Sequence, residues 1–421
     1  MGTKMKYVKH LECVECKQTY STKMPMNLCP ADGRPVQMVL DIRAIKSDFP
    51  CMTWFRPAQN SMWRFGPLLP FDIDSHSLQI CTLGEGHTPN IDISDYPLCQ
   101  EHSLQVMIKD EGQPYKGFGC NPTGSFKDRG MAMVATMARY YGLPKLAVPT
   151  QGNAGDSLAE YGVKFGFDVA VVMPDDTPMP ILGKVAAYSL QHQGIQLDLV
   201  KGTIREAAAL MKQKYLPLDY FNCATFQEPG WRIEGKKTMG YELAEPLMED
   251  QDSTSWSLPD VVLYPAGGGT GILGMWKAFD ELEQLGVIDS KRPKIIAIQS
   301  EQNAPLVDAI ENGLTDTVAT EGGNTLATGL NVPGGVGHKA VLAILRQSKG
   351  GAIKVSEQQI RIHSTAIYRQ YGMWISPEGA ATVAALSQAV ERGLVQKSDR
   401  IVCFNTGSAE KYLPNIRALF L

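Results

Sequence analysis

The stretch KLAVPTQGNAGDSLAEYGVKFGFDVAVVM, residues 145–173, holds a strand–helix–strand unit. KLAVP and FDVAVVM are short, nearly unbroken apolar runs, and helix-forming residues at 153–165 lie between them. A strand that is apolar on both faces belongs in a sheet covered on both sides, and two such strands joined by a helix run parallel. The fold class is therefore α/β.

The same rhythm extends outward in both directions. LQVMIKD (104–110) and IQLDLV (195–200) read as strands, and 129–142, 177–193 and 203–214 as helices. It resumes after a Pro/Gly break at 229–230 with a long helix through Leu247, strand DVVLYPA (260–266), helix 272–286 and strand KIIAIQS (294–300). Two blocks predict two domains with parallel-rich sheets. Residues 121–220 form the smaller one, 41–120 and 221–421 the larger, and 1–40 a separate N-terminal segment.

Composition narrows the functional classes. The chain has 421 residues, 44% apolar and 20% charged, with a net charge of −4. No Lys/Arg-rich run appears, so a nucleic-acid partner is not expected. No window approaches the ~18 apolar residues of a membrane span, and the first residues lack a signal-like apolar segment, so a cytoplasmic protein is expected. Nine cysteines, an odd number unevenly spread, read as reduced thiols.

The cysteines cluster at the N-terminus as Cys13-x-x-Cys16 followed by Cys29 and PADGRP. A structural zinc site takes four ligands, and Asp32 or His10 would have to complete the three cysteines. The favoured reading is a small degenerate ribbon, without metal, packed on the main body. Residues 49–72, FPCMTWFRPAQNSMWRFGPLLPFD, are too apolar for a linker. They are expected to lie across a domain or a partner subunit, with 50–70 a candidate homodimer interface.

Four loops carry chemistry. In DVVLYPAGGGTGILGMWKAF (260–279), Gly267, Gly268, Gly269, Thr270 and Gly271 stand between a buried-type strand and a helix. Backbone amides at a helix N-terminus hold phosphate, and without a lysine in the loop a phosphomonoester fits better than a nucleoside triphosphate. The alternative is a glycine-rich turn that binds nothing. QGNAG (151–155) repeats the arrangement with Asn153 as an added amide donor, suited to a carboxylate or a phenolate. FNTGSAEKY (404–412) brings Asn405, Thr406 and Ser408 to the carboxyl end of a strand, where open α/β sheets bind ligands. NPTGSFKDRG (121–130) sets Lys127 at a helix start, where a cation opposes the helix dipole. A lysine among small residues, together with a phosphate loop, is what an aldehyde cofactor bearing a phosphate requires. The alternative for Lys127 is a surface lysine paired with Asp128.

Taken in order, TLGEGHTP, NPTGSFKDRGM, QGNAGDSLAEY, EPGWRIEGKKTMGYELAE, PAGGGTGILGMWKAF, LATGLNVP, SPEGAAT and FNTGS resemble the threonine synthase family of pyridoxal-phosphate enzymes. The resemblance implies the tryptophan synthase β-like fold and pyridoxal 5'-phosphate as cofactor. It implies that Lys127 holds the cofactor as a Schiff base and that loop 267–271 holds its phosphate. Asn153 would donate to the ring's phenolic oxygen, and Thr406 would bond the ring nitrogen. The family reaction takes O-phospho-L-homoserine and water to L-threonine and phosphate. Arg232 matches the position that binds the leaving phosphate, while Thr150, Asn153, Ala154 and Ser125 are candidates for the substrate carboxylate. The sequence departs from the family at His87, where asparagine is commoner, and at Ala409 and Glu410, which would bring bulk and charge toward the ring nitrogen. The competing readings are another lyase on the same scaffold, such as a threonine/serine ammonia-lyase, and a non-catalytic amino-acid-binding relative.

Overall fold

The computed structural model describes residues 5–71, 80–246, 255–414 and 416–419. Asp72 and Leu247 lie outside the described residues. The strands are β1 (Val8–Cys13), β2 (Thr19–Tyr20), β3 (Val36–Leu40), β4 (Asn90–Asp92), β5 (Gln105–Asp110), β6 (Lys145–Pro149), β7 (Asp168–Pro174), β8 (Ile195–Val200), β9 (Phe221–Asn222), β10 (Val261–Pro265), β11 (Lys294–Ser300), β12 (Gly351–Val355) and β13 (Arg400–Asn405). The chain separates into two compact units. The first comprises Met1–Gly86, Asn121–Thr123 and Lys127–Thr238, the second His87–Cys120, Gly124–Phe126 and Met239–Leu421.

In the first unit, β8-β7-β6-β9 form a parallel sheet. Its central strands β6 and β7 are apolar and buried on both faces, while the edge strand β8 is partly exposed. Val169 and Val171 meet the Asn153–Phe165 helix at Gly162 and Gly155, where an added Cβ would lie 2.4 Å and 2.5 Å from the valine methyls. Ala147, Ala170 and Val172 pack on Ala207 and Met211 of the Ile204–Lys214 helix, which starts in a Thr203/Glu206 capping box.

The first unit also holds a three-stranded antiparallel ribbon, β2-β1-β3. Tyr141 Oη donates to the Thr22 carbonyl (2.8 Å), and Asn27 Nδ2 donates to the Asn222 carbonyl (3.2 Å), which seats the ribbon on this unit. The apolar arm that follows is buried by its own chain from Ser61 to Phe71, while Pro50, Cys51, Thr53, Pro57, Ala58 and Asn60 stay exposed. Trp54, Trp63, Phe65, Leu68 and Phe71 are each 2% exposed or less, and Trp63 Nε1 donates to Glu85 Oε1 (2.7 Å). These side chains fill a core of the same chain, as expected of an apolar segment that lies across a domain.

In the second unit the order is β12-β11-β10-β13-β5-β4, parallel except for the antiparallel edge strand β4. Alternate residues enter two separate cores. Val261, Leu263, Ile296, Ile298, Ile353 and Ile401 pack with Ile360, Ile367 and Ala380, from the Glu357–Tyr371 and Pro377–Ala384 helices. Val262, Tyr264, Ile295, Ala297 and Val402 pack with Ile272, Met275 and Leu342, from the Thr270–Leu285 and His338–Gln347 helices. No disulfide joins any of the nine cysteines, all of which lie among the described residues.

The long helix expected after the Pro/Gly break is instead two short ones, Trp231–Lys236 and Thr238–Ala244. Thr238 Oγ1 donates to the Gly235 carbonyl (2.6 Å), a side-chain bond that competes with the helical ladder at this point.

Candidate active site

In the second unit β10 and β13 are parallel neighbours, with Val261 opposite Ile401. The loops leaving their carboxyl ends, Gly267–Gly271 and the turn containing Thr406, therefore emerge side by side. The strand order also reverses here. β10, β11 and β12 advance toward one edge, while β13 returns on the other side of β10. That reversal is where open α/β sheets leave a crevice for a ligand.

Three glycines of the first loop are required by close approach. A Cβ on Gly267 would lie 2.4 Å from the Gly329 carbonyl oxygen, and one on Gly269 (φ +76°) 2.4 Å from Val341 Cγ2. One on Gly271 would lie 1.9 Å from Tyr264 Oη. His338 Nε2–H donates to the Gly267 carbonyl (2.8 Å), and its Nδ1 accepts from the Gly335 amide (3.2 Å). This is a neutral imidazole, and burial pushes its pKa below the usual histidine value. With the Gly267 carbonyl held by His338, the loop precedes the 16-residue Thr270–Leu285 helix, whose N-terminus favours an anion.

Beside it, the segment after β13 zips onto the residues that precede Lys127. The Phe126 amide donates to the Thr406 carbonyl (3.1 Å), Ser125 bridges Gly407, and the Ser408 amide donates to the Gly124 carbonyl (2.9 Å). Ser125 is fully buried, and its Oγ has no hydrogen-bond partner among the described residues. Asn405 has a structural job. Its Oδ1 accepts from the Ser376 amide and hydroxyl (3.1 and 3.0 Å), and its Nδ2 donates to Asp110 (2.8 Å). Glu410 is exposed to solvent, so the charge expected to press toward the ring nitrogen points to water, while Ala409 is buried. His87 has a positive φ of 51°, a conformation in which Asn and His are both enriched, so a histidine in place of asparagine keeps the same turn.

The first unit has its own pair of adjacent parallel strands, β6 and β9, with the Cys223 amide donating to the Ala147 carbonyl (2.8 Å). The Thr150–Ala154 loop leaves one of them and the segment leading to Arg232 leaves the other. Thr150 Oγ1 accepts from the Gly152 and Gly155 amides (2.9 and 3.3 Å), so this hydroxyl shapes the loop. Asn153 and Ala154 are the first two residues of the helix that follows, Asn153 half-buried and Ala154 buried.

Lys127 is the first residue of the Lys127–Tyr141 helix and is half-buried. The next residue, Asp128, accepts from the Thr123 amide and hydroxyl (both 2.8 Å) and from Ser157 Oγ (2.5 Å), which holds the turn ahead of the lysine. This helix crosses the Trp231–Lys236 helix at very short range. A Cβ on Gly235 would lie 1.9 Å from the Arg129 carbonyl oxygen, and one on Gly130 would lie 3.2 Å from Lys236 Cε and 3.4 Å from Arg232 Cβ. Tyr141, Trp231 and Phe221 stack nearly in parallel, with ring centres 5.8 and 5.1 Å apart, and tie the crossing to β9.

The crossing gathers cations. Arg232 is buried, with Nη1 donating to the Cys223 carbonyl (3.2 Å) and Thr225 Oγ1 (3.0 Å), and its Nε has no hydrogen-bond partner among the described residues. Lys236 is 1% exposed. Burial first, then the nearby Lys127 and Arg232 charges, push its pKa well below the ordinary lysine value, against a smaller pull from Glu228. Glu228 is itself buried, which raises its carboxyl pKa despite Arg232. Lys236 was not singled out in the sequence. The only signal is the doubled lysine of EGKKT, where Lys237 pairs with Glu234 (2.6 Å) and leaves Lys236 on the face toward Gly130.

Residues 81–407 match the pyridoxal-phosphate dependent enzyme family. This chain belongs to that family. Threonine synthase from Methanosarcina acetivorans is 31% identical over 94% of this chain and 91% of its own. The one from Methanocaldococcus jannaschii is 29% identical over 95% and 92%. Within the pyridoxal-phosphate dependent enzymes the chain thus belongs with the threonine synthases. Among solved structures, diaminopropionate ammonia lyase from Escherichia coli covers 87% of this chain and 95% of its own, with TM-score 0.63 and 17% identity. Processed threonine deaminase isoform 2 from Solanum lycopersicum covers 83% and 89%, with TM-score 0.62 and 19% identity. These two establish the fold, the tryptophan synthase β-like architecture of pyridoxal-phosphate dependent enzymes. The residues present fit the cofactor. The glycine loop is a cradle that side chains would fill, and Ser125 Oγ is a buried polar atom without a partner among the described residues.

Proposed function

We propose that the protein is a cytoplasmic enzyme that converts O-phospho-L-homoserine and water to L-threonine and phosphate. The observation that carries this reading is Arg232, a buried guanidinium held at one nitrogen by Cys223 and Thr225, with Nε still able to donate. A guanidinium stays charged near neutral pH and matches phosphate geometry, so it suits a dianionic leaving group better than a neutral donor would. The threonine synthase relatives, which align over most of both chains, support it.

Pyridoxal 5'-phosphate supplies an electron sink for the carbanion formed at the substrate α-carbon. Lys127 would hold its aldehyde, the Gly267–Gly271 amides and Thr270 its phosphate, Asn153 its phenolic oxygen, and the neutral Thr406 hydroxyl its ring nitrogen. As a free amine, Lys127 Nζ would take the proton from the substrate Cα and move protons among the neighbouring carbons. Lys236 beside it is pushed toward the neutral form by its own burial and by repulsion from the Lys127 charge. Ser125 and the Thr150–Ala154 loop bind the substrate carboxylate. Arg232 holds the phosphate as it leaves Cγ, and water adds at Cβ.

The test is phosphate and threonine measured together, with O-phosphohomoserine and the pyridoxal-phosphate-loaded protein. Both should form in equal amounts. Arg232→Ala should lose about 1.5–3 kcal/mol of transition-state binding, roughly tenfold to a hundredfold in kcat/KM, with the absorbance of the Lys127-bound cofactor unchanged. Absence of phosphate release, with equal α-ketobutyrate formation from threonine by wild type and Arg232→Ala, would replace this reading with an ammonia-lyase.

A further inference from the structure

The two turns of the N-terminal ribbon are built alike. In the first, Cys13 and Cys16 are three residues apart, the Cys13 amide donates to the Gln18 carbonyl (2.9 Å), and Lys17 has φ +61°. In the second, Cys29 and Asp32 are three residues apart, the Cys29 amide donates to the Arg34 carbonyl (2.8 Å), and Gly33 has φ +67°. The left-handed residue and the closing bond fall at the same offsets, so Asp32 occupies in the second turn the place that Cys16 occupies in the first.

The folded ribbon brings these four side chains together. Their ligand atoms all lie within 4.8 Å of one another. Cys16 Sγ is 3.8 Å from Cys29 Sγ, and Cys13 Sγ is 3.3 Å from Asp32 Oδ2. Zinc bonds of ~2.3 Å to sulfur and ~2.0–2.2 Å to oxygen in a tetrahedron imply edges of ~3.8 Å between sulfurs and ~3.5 Å between sulfur and oxygen. The Cys16–Cys29 separation equals the first edge, and Cys13 Sγ lies 3.3 and 3.5 Å from the two Asp32 oxygens, close to the second. Surrounding groups fit as well. The Glu15 amide donates to Cys13 Sγ (3.4 Å), Tyr20 Oη lies 2.9 Å from Cys29 Sγ, and the Arg34 amide donates to Asp32 Oδ1 (2.9 Å), leaving Oδ2 toward Cys13. Such contacts orient metal ligands and disperse thiolate charge.

We propose that Cys13, Cys16, Cys29 and Asp32 bind one zinc ion as a closed, four-coordinate structural site. This departs from the metal-free ribbon favoured when only three cysteines are counted, because it is the second turn that supplies the fourth ligand; His10 is not in the cluster. Binding converts three thiols to thiolates and releases their protons to solvent. With all four positions filled by protein, no site is left for substrate, so the zinc holds the ribbon. The ribbon bears on Gly230 just before the Arg232 helix, where an added Cβ would lie 3.2 Å from Gln37 Cα.

The full-length protein, purified under reducing conditions without added metal, should carry one zinc per chain by elemental analysis. After stripping with a chelator, Co²⁺ should give a thiolate charge-transfer band and the intense visible bands of a tetrahedral ion, displaced by one equivalent of Zn²⁺. Asp32→Ala should weaken Zn²⁺ binding at least tenfold while keeping the thiolate band, and Cys13→Ser should reduce that band. Substoichiometric zinc with an octahedral Co²⁺ spectrum in wild type would overturn the proposal. So would equal zinc in wild type and Cys13→Ser, the mark of an adventitious ion. If Cys13→Ser does not fold, the wild-type cobalt titration decides alone.

Discussion

Lys236 shows how little a residue's identity says about its state. As one of two adjacent lysines it would pass for a surface charge, yet it is buried against the helix that begins with Lys127. Its depressed pKa has a direct consequence for stability. The unfolded chain binds a proton on this lysine at higher pH than the folded chain does, so the group's contribution is fully present above ~10.4 and is lost as pH falls through its folded value. Lys236→Met removes that loss. The variant should gain stability relative to wild type as pH is lowered from 10 toward 7, measured by urea denaturation at each pH. A difference independent of pH would contradict the protonation argument. Other residues were readable in advance. Lys127 stands out in the sequence because a cation at a helix start opposes the dipole, and Gly267, Gly269 and Gly271 because they join a strand to a helix, where the structure leaves no room for a side chain. Thr150, a candidate for the substrate carboxylate, also braces its own loop by accepting from the Gly152 and Gly155 amides, which only the folded turn brings to its hydroxyl.

Helices and strands were legible to the extent that their periodicity was local. β6 and β8 fall where their apolar runs lie, and the Asn153–Phe165 helix spans the residues read from its pattern. β12 was missed because GAIKV is short and opens on the Gly350-Gly351 pair, and it joins the sheet through pairing with β11. The break between Trp231–Lys236 and Thr238–Ala244 was equally hidden, because it arises from one side-chain bond and a helix crossing. That crossing is testable. Gly235→Ala should raise local helix propensity and still lower stability by about 1–3 kcal/mol, the usual cost of overpacking, because its Cβ falls on the Arg129 carbonyl. Activity should fall further than stability predicts, since the two helices carry Lys127, Arg232 and Lys236. Calorimetry together with kcat/KM separates the two effects, and a stabilised, fully active variant would refute the tight crossing.

Over the whole molecule, acid stability is set in part by histidines buried in the neutral form. His363 accepts or donates at Nδ1 with Tyr96 Oη (2.8 Å), and burial lowers its pKa to about 4. Between about 4 and the ordinary ~6.5 the unfolded chain binds the extra proton, so this stabilisation is intact above ~6.5 and lost as pH falls through about 4. The term amounts to roughly 3 kcal/mol. His363→Gln, which keeps a neutral polar group facing Tyr96, should flatten the fall in thermal midpoint between pH 7 and pH 4. An unchanged slope would show that other groups govern it.

By itself the sequence determined the α/β class, the parallel strands and the chemistry-bearing loops, because apolar periodicity and glycine-rich turns are properties of neighbouring residues. Tertiary structure alone decided which loops share a strand edge, that the apolar arm is core, that Lys236 faces Lys127's helix, and that Asp32 completes the cysteine cluster. Those facts depend on strand order, helix crossing and turn closure, which bring residues far apart in the chain within a few ångströms and which no local pattern encodes.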